Sequence, residues 1–337
     1  MHARHKPSRS LWKRTEIMNL TIHPCKRFHL FHIPIHFLGV RHENAGNPDR
    51  IENKPMNVWK YLKNLAKGRS GMNLRLNLFP GGVSKALTLS YDDGVHQDRR
   101  LVEIMNRHRI RGTFHLNSGF LDHENHITAA EVPELYQGHE VSVHTRTHPF
   151  LERIPREGVL TQILQDRSAL EELASYPVRG MSYPYGTYNA DVLALLPALG
   201  IEYSRTVKSH GQFTLPDNWL EWHPTCHHND MMTLGKSFLE LTQVHPAMQL
   251  LYVWGHSYEF DRNNNWEEFE SFCEMMGGRE DLWYATNIEI VDYLHAVRQL
   301  RFSASQALVY NPSSLDVWIS VSGEPCRIPG GRTVSLG

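Results

Sequence analysis

The sequence predicts an α/β fold: a closed or nearly closed (β/α) barrel of about seven parallel strands, followed by a small C-terminal β appendage. Three observations predict it. Between residues 72 and 300, short β-prone apolar runs alternate with helix-periodic stretches. The residues richest in chemistry directly follow such runs, where loops converge in parallel α/β sheets. After residue 300 the pattern changes to short strand candidates punctuated by Pro312, Gly323, Pro329 and Gly330-Gly331.

Taken in order, residues 86–91 are an apolar β-prone run closed by the turn-like Asp92-Asp93-Gly94. Residues 97–108 read as a helix with Leu101, Ile104 and Met105 on one face. Strands follow at 112–116, ended by Asn117-Ser118-Gly119, and at 140–144. The stretch 156–173 is a long amphipathic helix whose Leu160, Ile163, Leu164, Leu170 and Leu173 keep mostly to one side. Residues 179–183 form a strand stopped by Pro184, and 189–199 a helix stopped by Gly200. Strands at 201–207, 251–255 and 282–286 and a helix at 288–300 close the series.

The bulk composition narrows the class. A chain of 337 residues with 41% hydrophobic and 21% charged residues is a globular protein with a sizeable core. A formal net charge of −1 gives no field for nucleic acid or an anionic surface, so a neutral substrate is expected. Cys25, Cys226, Cys273 and Cys326 form no close pair, which excludes a zinc knuckle or a CxxC redox motif and fits free thiols in a reducing compartment. No apolar run approaches the roughly 20 residues of a spanning helix.

Residues 1–71 hold seven of the 22 histidines before residue 43, and basic stretches such as Met1-His2-Ala3-Arg4-His5-Lys6. One reading is a metal-binding tract. The other, preferred, is an extension outside the fold, either unstructured or upstream of a true start at Met72. The apolar piece 28–40 is broken by His29, His32, Pro34 and His36 and lacks a cleavage site, so a cytoplasmic location is expected.

The chemistry lies in Ser90-Tyr91-Asp92-Asp93-Gly94, His144-Thr145-Arg146-Thr147-His148 and Trp254-Gly255-His256. One carboxylate and two imidazoles are a donor set for an open catalytic metal site, with a spare carboxylate and a spare imidazole for general base and acid. Each piece alone has a plainer explanation: a turn, a chance pair of histidines, a buried hydrogen-bonded histidine. Their combination and order make the case.

Residues 86–300 resemble the polysaccharide deacetylase family, the NodB-homology carbohydrate esterases. Leu89-Ser90-Tyr91-Asp92-Asp93-Gly94 is similar to the family's TFDDG motif, and His144–His148 to its H-[ST]-x-x-H motif. Tyr183-Pro184-Tyr185-Gly186 resembles the tail of R-x-P-[YF]-G, and Val253-Trp254-Gly255-His256 the late apolar-x-x-His motif. The resemblance implies a distorted (β/α) barrel and a divalent metal on Asp93, His144 and His148, zinc first, with cobalt, nickel or manganese as alternatives. It implies Asp92 as general base, His256 as general acid and the backbone N–H of Tyr185 as oxyanion donor. The implied reaction is hydrolysis of an N-acetyl group on an amino sugar or oligosaccharide. The alternatives are hydrolysis of another non-peptide C–N bond, in a small amide or ureide, and a non-catalytic carbohydrate-binding barrel; retention of both Asp92 and His256 weighs against the last.

The sequence departs from the family in one motif. Where an arginine two residues before the proline orients the base, this chain has Ser182. Arg179 and Arg205 are the two candidates for the missing cation, with Arg205 preferred because it ends the next strand. The usual aspartate partner of the acid histidine has only a faint echo in Asp217-Asn218-Trp219. The tract 222–230, with His223, His227 and His228, could line the substrate cleft, form a second metal site, or be a loop that is merely rich in histidine. His223, His227, Trp254 and Tyr258 are the substrate-contact candidates, the aromatic faces suiting apolar sugar faces.

Overall fold

The computed structural model describes residues 73–242 and 247–336. The expected extension at 1–71 lies outside the described residues.

The centre of the molecule is β2 (Lys85–Asp92), buried along its whole length. It pairs in parallel with β3 (Gly112–Leu116) on one side and β8 (Gln249–Gly255) on the other. Outward from these lie β4 (Glu140–Val143), β5 (Gly180–Ser182) and β6 (Tyr203–Arg205) on the β3 side, and β7 (Cys226–His227) beyond β8. The order is thus β6-β5-β4-β3-β2-β8-β7, with β9 (Leu282–Tyr284) paired to the first half of β2. All these pairings are parallel, as the alternating pattern predicts.

The sheet curls into a half-barrel rather than closing strand on strand. Its two ends, β6 and β7, are joined by the segment between them: Trp222 bridges to Arg205, and Cys226 then pairs with Val253 of β8.

Side chains alternate along β2 as the pleat requires. Leu87, Leu89 and Tyr91 face the helical layer and join the larger apolar core. Thr88, Ser90 and Asp92 point to the other face and are buried polar groups. Thr88 donates to Asn287, and Ser90 meets His115 at 3.0 Å. The face that leads to Asp92 is thus polar and internally hydrogen-bonded before the site begins.

The helices follow the strands: α1 (Asp98–Arg107), α2 (Val132–Leu135), α3 (Arg156–Ala174), α4 (Ala190–Leu195), α5 (Met231–Leu239), α6 (Tyr258–Asn263), α7 (Trp266–Met276) and α8 (Asn287–Gln299). The expected helix over 189–199 splits. Asn189 caps α4 by accepting from Val192 N at 2.9 Å, and Pro197, which has no N–H, leaves a tighter turn over Leu196–Leu199.

The buried stripe of α3 also differs from expectation. Val159, Ile163, Asp166 and Leu170 face inward, while Leu164 is 47% exposed. A carboxylate sits in the inward stripe because the backbone below it offers N–H donors, as described next.

The C-terminal residues form two antiparallel sheets. β12 (Val317–Val321) pairs with β13 (Glu324–Ile328) and with β1 (Leu74–Arg75); β11 (Leu308–Tyr310) pairs with β10 (Arg301–Phe302) and β14 (Thr333–Ser335). The chain segment before β2 is therefore shared with the appendage. Val309, Val317, Ile319 and Ile328 enter one apolar core with Tyr293 of α8 and Ala86 of β2, and the Tyr293 hydroxyl donates to Leu78 O at 2.7 Å.

Candidate active site

Four strand ends meet over one cleft of about 480 Å³, lined by Asp92, Asp93, His144, His148, Tyr185, Trp254, His256 and Tyr258 among others. Each arrives for a local reason.

Asp92 is the last residue of β2, and Asp93 turns the chain with φ of 80° while its N–H donates to His115 O at 3.0 Å. The turn sends the two neighbouring carboxylates in different directions. Asp92 is 2% exposed; the Asp93 side chain is 23% exposed and faces the cleft.

The histidine pair is not on a helix. Thr145 and His148 both take left-handed backbone, with φ of 67° and 54°. Asn117 donates to the carbonyls of His144 and Thr145 at 2.6 and 2.7 Å, and the Thr145 hydroxyl accepts from His148 N at 3.1 Å. The loop doubles back and brings the rings to 4.8 Å, inclined at 62°. Asp166, from the inward stripe of α3, accepts from Ser118 N and His144 N at 2.7 and 3.1 Å. Burial pushes its carboxyl up to about 7. Asp93, His148 and Tyr185, which line this cleft, all take left-handed backbone.

The donor set fits a divalent metal. Asp93 Oδ1 lies 3.6 Å from His144 Nε2 and 3.9 Å from His148 Nε2, and the three ligand atoms lie within 4.8 Å of one another. The His144 Nδ1 meets Ser182 O at 3.0 Å, which directs Nε2 toward Asp93 and fixes the ring as a ligand would need.

Asp92 is held from two sides. The buried Arg205 guanidinium donates to Oδ2, and Ser182 Oγ donates to Oδ1 at 3.2 Å. Burial pushes the Asp92 carboxyl up, but Arg205 and the imidazoles of His144, His115 and His256 outweigh it and hold it well below the usual carboxylate range. Arg205 also lies 4.6 Å over the Trp254 ring.

His256 follows β8. Its Nε2 is 4.0 Å from Asp92 Oδ2, and its Nδ1 is 3.4 Å from Glu259 Oε2. Burial lowers its pKa, while Glu259, Asp92 and Asp93 outweigh that and raise it. Tyr185 stacks on Phe150 at 3.8 Å and 11°, and its ring is 4.4 Å from that of His148.

Several candidates are placed elsewhere. Arg179 precedes β5 and pairs with Glu202 and Asp292 at 3.0 and 2.7 Å, so it does not reach Asp92. His223 bonds Thr206 Oγ1 at 2.6 Å and lines a separate hollow with His210 and Asp217. Asp217 is therefore not beside His256; Glu259 takes that place. His227 does not line the cleft and donates from Nε2 to the Glu259 carboxylate at 2.9 Å. Trp254 and Tyr258 do line it.

Glu259, Ser182, Phe150 and Asp166 are site residues that sequence reasoning missed or left without a role. Glu259 carried one signal: it lies three residues after His256, the spacing of neighbours on a helical turn.

The family model for polysaccharide deacetylase matches residues 81–204. A chitooligosaccharide deacetylase from Bradyrhizobium sp. (strain ANU 289) is 29% identical over 126 residues, 36% of this chain and 56% of that protein. A peptidoglycan-N-acetylglucosamine deacetylase from Listeria monocytogenes serotype 1/2a (strain 10403S) is 29% identical over 113 residues, 33% of this chain and 23% of that protein. The chain thus spans about half the length of the first relative and less of the second. A solved structure from Mycobacterium smegmatis, designated a polysaccharide deacetylase, shares the fold with a TM-score of 0.51 at 16% identity, covering 68% of this chain and 96% of that one.

Proposed function

We propose that the chain, whose residues 81–204 match the family model for polysaccharide deacetylase, hydrolyses the N-acetyl group of an amino sugar or oligosaccharide with the help of one divalent metal. One observation carries this: two adjacent carboxylates separate, Asp92 into a buried ion pair and Asp93 toward two imidazoles, with His256 completing the same cleft.

Asp93, His144 and His148 would hold the metal, zinc first given two nitrogen donors and one oxygen. Bound there, it would supply Lewis acidity for the acyl oxygen and a water of lowered pKa.

The chain's own residues do the rest. Asp92 stays ionised under Arg205 and Ser182, so it is acceptor-only and aimed into the cleft, where it takes the proton of the attacking water. The Tyr185 N–H, on the strained turn after β5, donates to the oxyanion; such a donor is worth about 3–4 kcal/mol. His256, with its two ring nitrogens facing Asp92 and Glu259, delivers a proton to the departing nitrogen. Acetate and a free amine leave. Tyr185, Trp254 and Tyr258 offer aromatic faces to the sugar.

Acetate release from N-acetylglucosamine oligomers, with and without chelator, tests this. Release that chelation abolishes and zinc restores is expected. Cleavage of small amides but not of oligomers would overturn the substrate class, and no hydrolysis of either would overturn the enzyme.

A further inference from the structure

We infer that His227, His228 and Glu259 form a second divalent-cation site, behind the hydrolytic cleft, suited to zinc or a similar transition ion.

The three residues come from the ends of two neighbouring parallel strands. His227 ends β7 and pairs in register with Trp254 of β8; His228 opens the turn that follows, and Glu259 lies on α6 just after β8. Glu259 Oε2 is 2.9 Å from His227 Nε2 and 3.4 Å from His228 Nε2, and the donor atoms of all three lie within 4.8 Å of one another. Donors on a tetrahedral zinc with bonds of about 2.0–2.1 Å lie roughly 3.3–3.4 Å apart. The Glu259–His228 pair already stands at that spacing.

Hydrogen bonds account for only part of it: His227 Nε2 meets Glu259 Oε2 at 2.9 Å, but His228 is left out. His228 is 1% exposed, yet neither ring nitrogen has a hydrogen-bond partner; its approach to Glu259 lacks hydrogen-bond alignment. A buried polar group left unpaired is costly, and native structures seldom retain one without a purpose. The ring is also clamped. Phe260 stacks on it at 4.2 Å and 29°, and Tyr91 at 6.0 Å and 25°. Gly255 completes the clamp, since a Cβ there would come within 2.1 Å of His228 Nδ1. The chain has built a fixed slot for an imidazole whose nitrogens go unused within the protein.

The carboxylate is prepared in the same way. Arg262 binds Oε1 at 2.9 Å, which leaves Oε2 to the imidazoles. Carboxylates that ligate metals are commonly oriented by such partners. His256 N donates to the same Oε2 at 3.3 Å and its Nδ1 is 3.4 Å away, so an ion here would adjoin the histidine proposed as the acid.

The test counts zinc bound to the full-length chain, purified without a histidine tag, stripped with chelator, reloaded and passed through gel filtration. The parent is the D93N/H148A variant, which disables the first site. Adding His227→Ala to it is expected to remove one zinc equivalent per chain, and adding His228→Gln instead to remove the same one. His227 is partly exposed, so its variant tests the site even where replacing the buried His228 prevents folding. An unchanged count on adding His227→Ala, or a parent that binds no zinc, would overturn the site. Neither count involves turnover, so the result stands apart from whether the chain releases acetate.

Discussion

Ser182 and Arg205 are register partners on neighbouring strands, and both side chains end on Asp92. The hydroxyl reaches one carboxylate oxygen and the guanidinium the other. The position that holds arginine in the resembled motif here holds serine, and the cation has moved sideways by one strand rather than along the chain. Ser182 Oγ is also 2.6 Å from His144 Nδ1, so it ties the buried ion pair to the histidine pair.

Arg205→Met is therefore expected to be damaging in two ways. It strands a carboxylate that is 2% exposed, and breaking one side of a buried pair costs about 3–5 kcal/mol. It also releases Asp92 from the charge that keeps it ionised. Arg179→Ala breaks only partly exposed pairs, worth under about 1 kcal/mol, and should leave acetate release unchanged. Urea unfolding and acetate assays on both variants check this; equal effects would reverse the assignment of the cation.

Asp92→Asn keeps the shape of the site but cannot accept a proton. Zinc binding should persist, because Asp93, His144 and His148 are untouched, while turnover falls roughly 10²–10⁴-fold. Zinc analysis beside kcat separates the two effects. A variant with normal turnover would remove Asp92 from the role of base.

The strand ends were legible because period-2 apolar runs stop at charged residues, and Asp92, His144 and His256 sit at those stops. The lateral partner was harder to see. Sequence spacing does not say which residue of β6 lies opposite Ser182, so Arg205 was preferred to Arg179 only for ending a strand, and the register then placed Arg205 at Asp92 while Arg179 pairs with Asp292. Glu259 was hidden because α6 is only six residues long and shows no periodic stripe. His223 and His227 share one tract but diverge, since Trp222 pairs with Arg205 at one edge of the sheet and His227 with Trp254 at the other. The pairing of β1 with β12 joins opposite ends of the described chain and has no local signal at all.

Gly186→Ala should injure the cleft. Gly186 has φ of 69°, and a Cβ there would fall 2.2 Å from a Val207 methyl. Together these predict a loss of about 1–3 kcal/mol or a shift of the turn that carries Tyr185. Because Tyr185 lines the cleft, the shift should raise KM as well as lower kcat. Val207→Ala in the same chain should restore part of both by freeing the space. No recovery in the double variant would show that backbone strain, not the valine, dominates.

Glu140 gives the protein a pH dependence with a defined sign. Burial raises its carboxyl from 4.5 to about 7, against hydrogen bonds from Ile288 N, Tyr203 and Thr113 that favour the charged form. The folded state therefore holds a proton that the unfolded state has lost between about pH 4.5 and pH 7. Stability from this group is complete below the lower value and is lost as pH rises from there through the upper one, by roughly 3 kcal/mol in all. Glu140→Gln can keep the network, its amide oxygen accepting from Thr113 and Ile288 N and its NH₂ donating to the Tyr203 hydroxyl, which meets Ser142 at 3.2 Å. The variant should match the parent near pH 5 and exceed it by about that amount at pH 8. Urea denaturation of both at the two pH values measures it, and parallel stability curves would exclude Glu140 as the source.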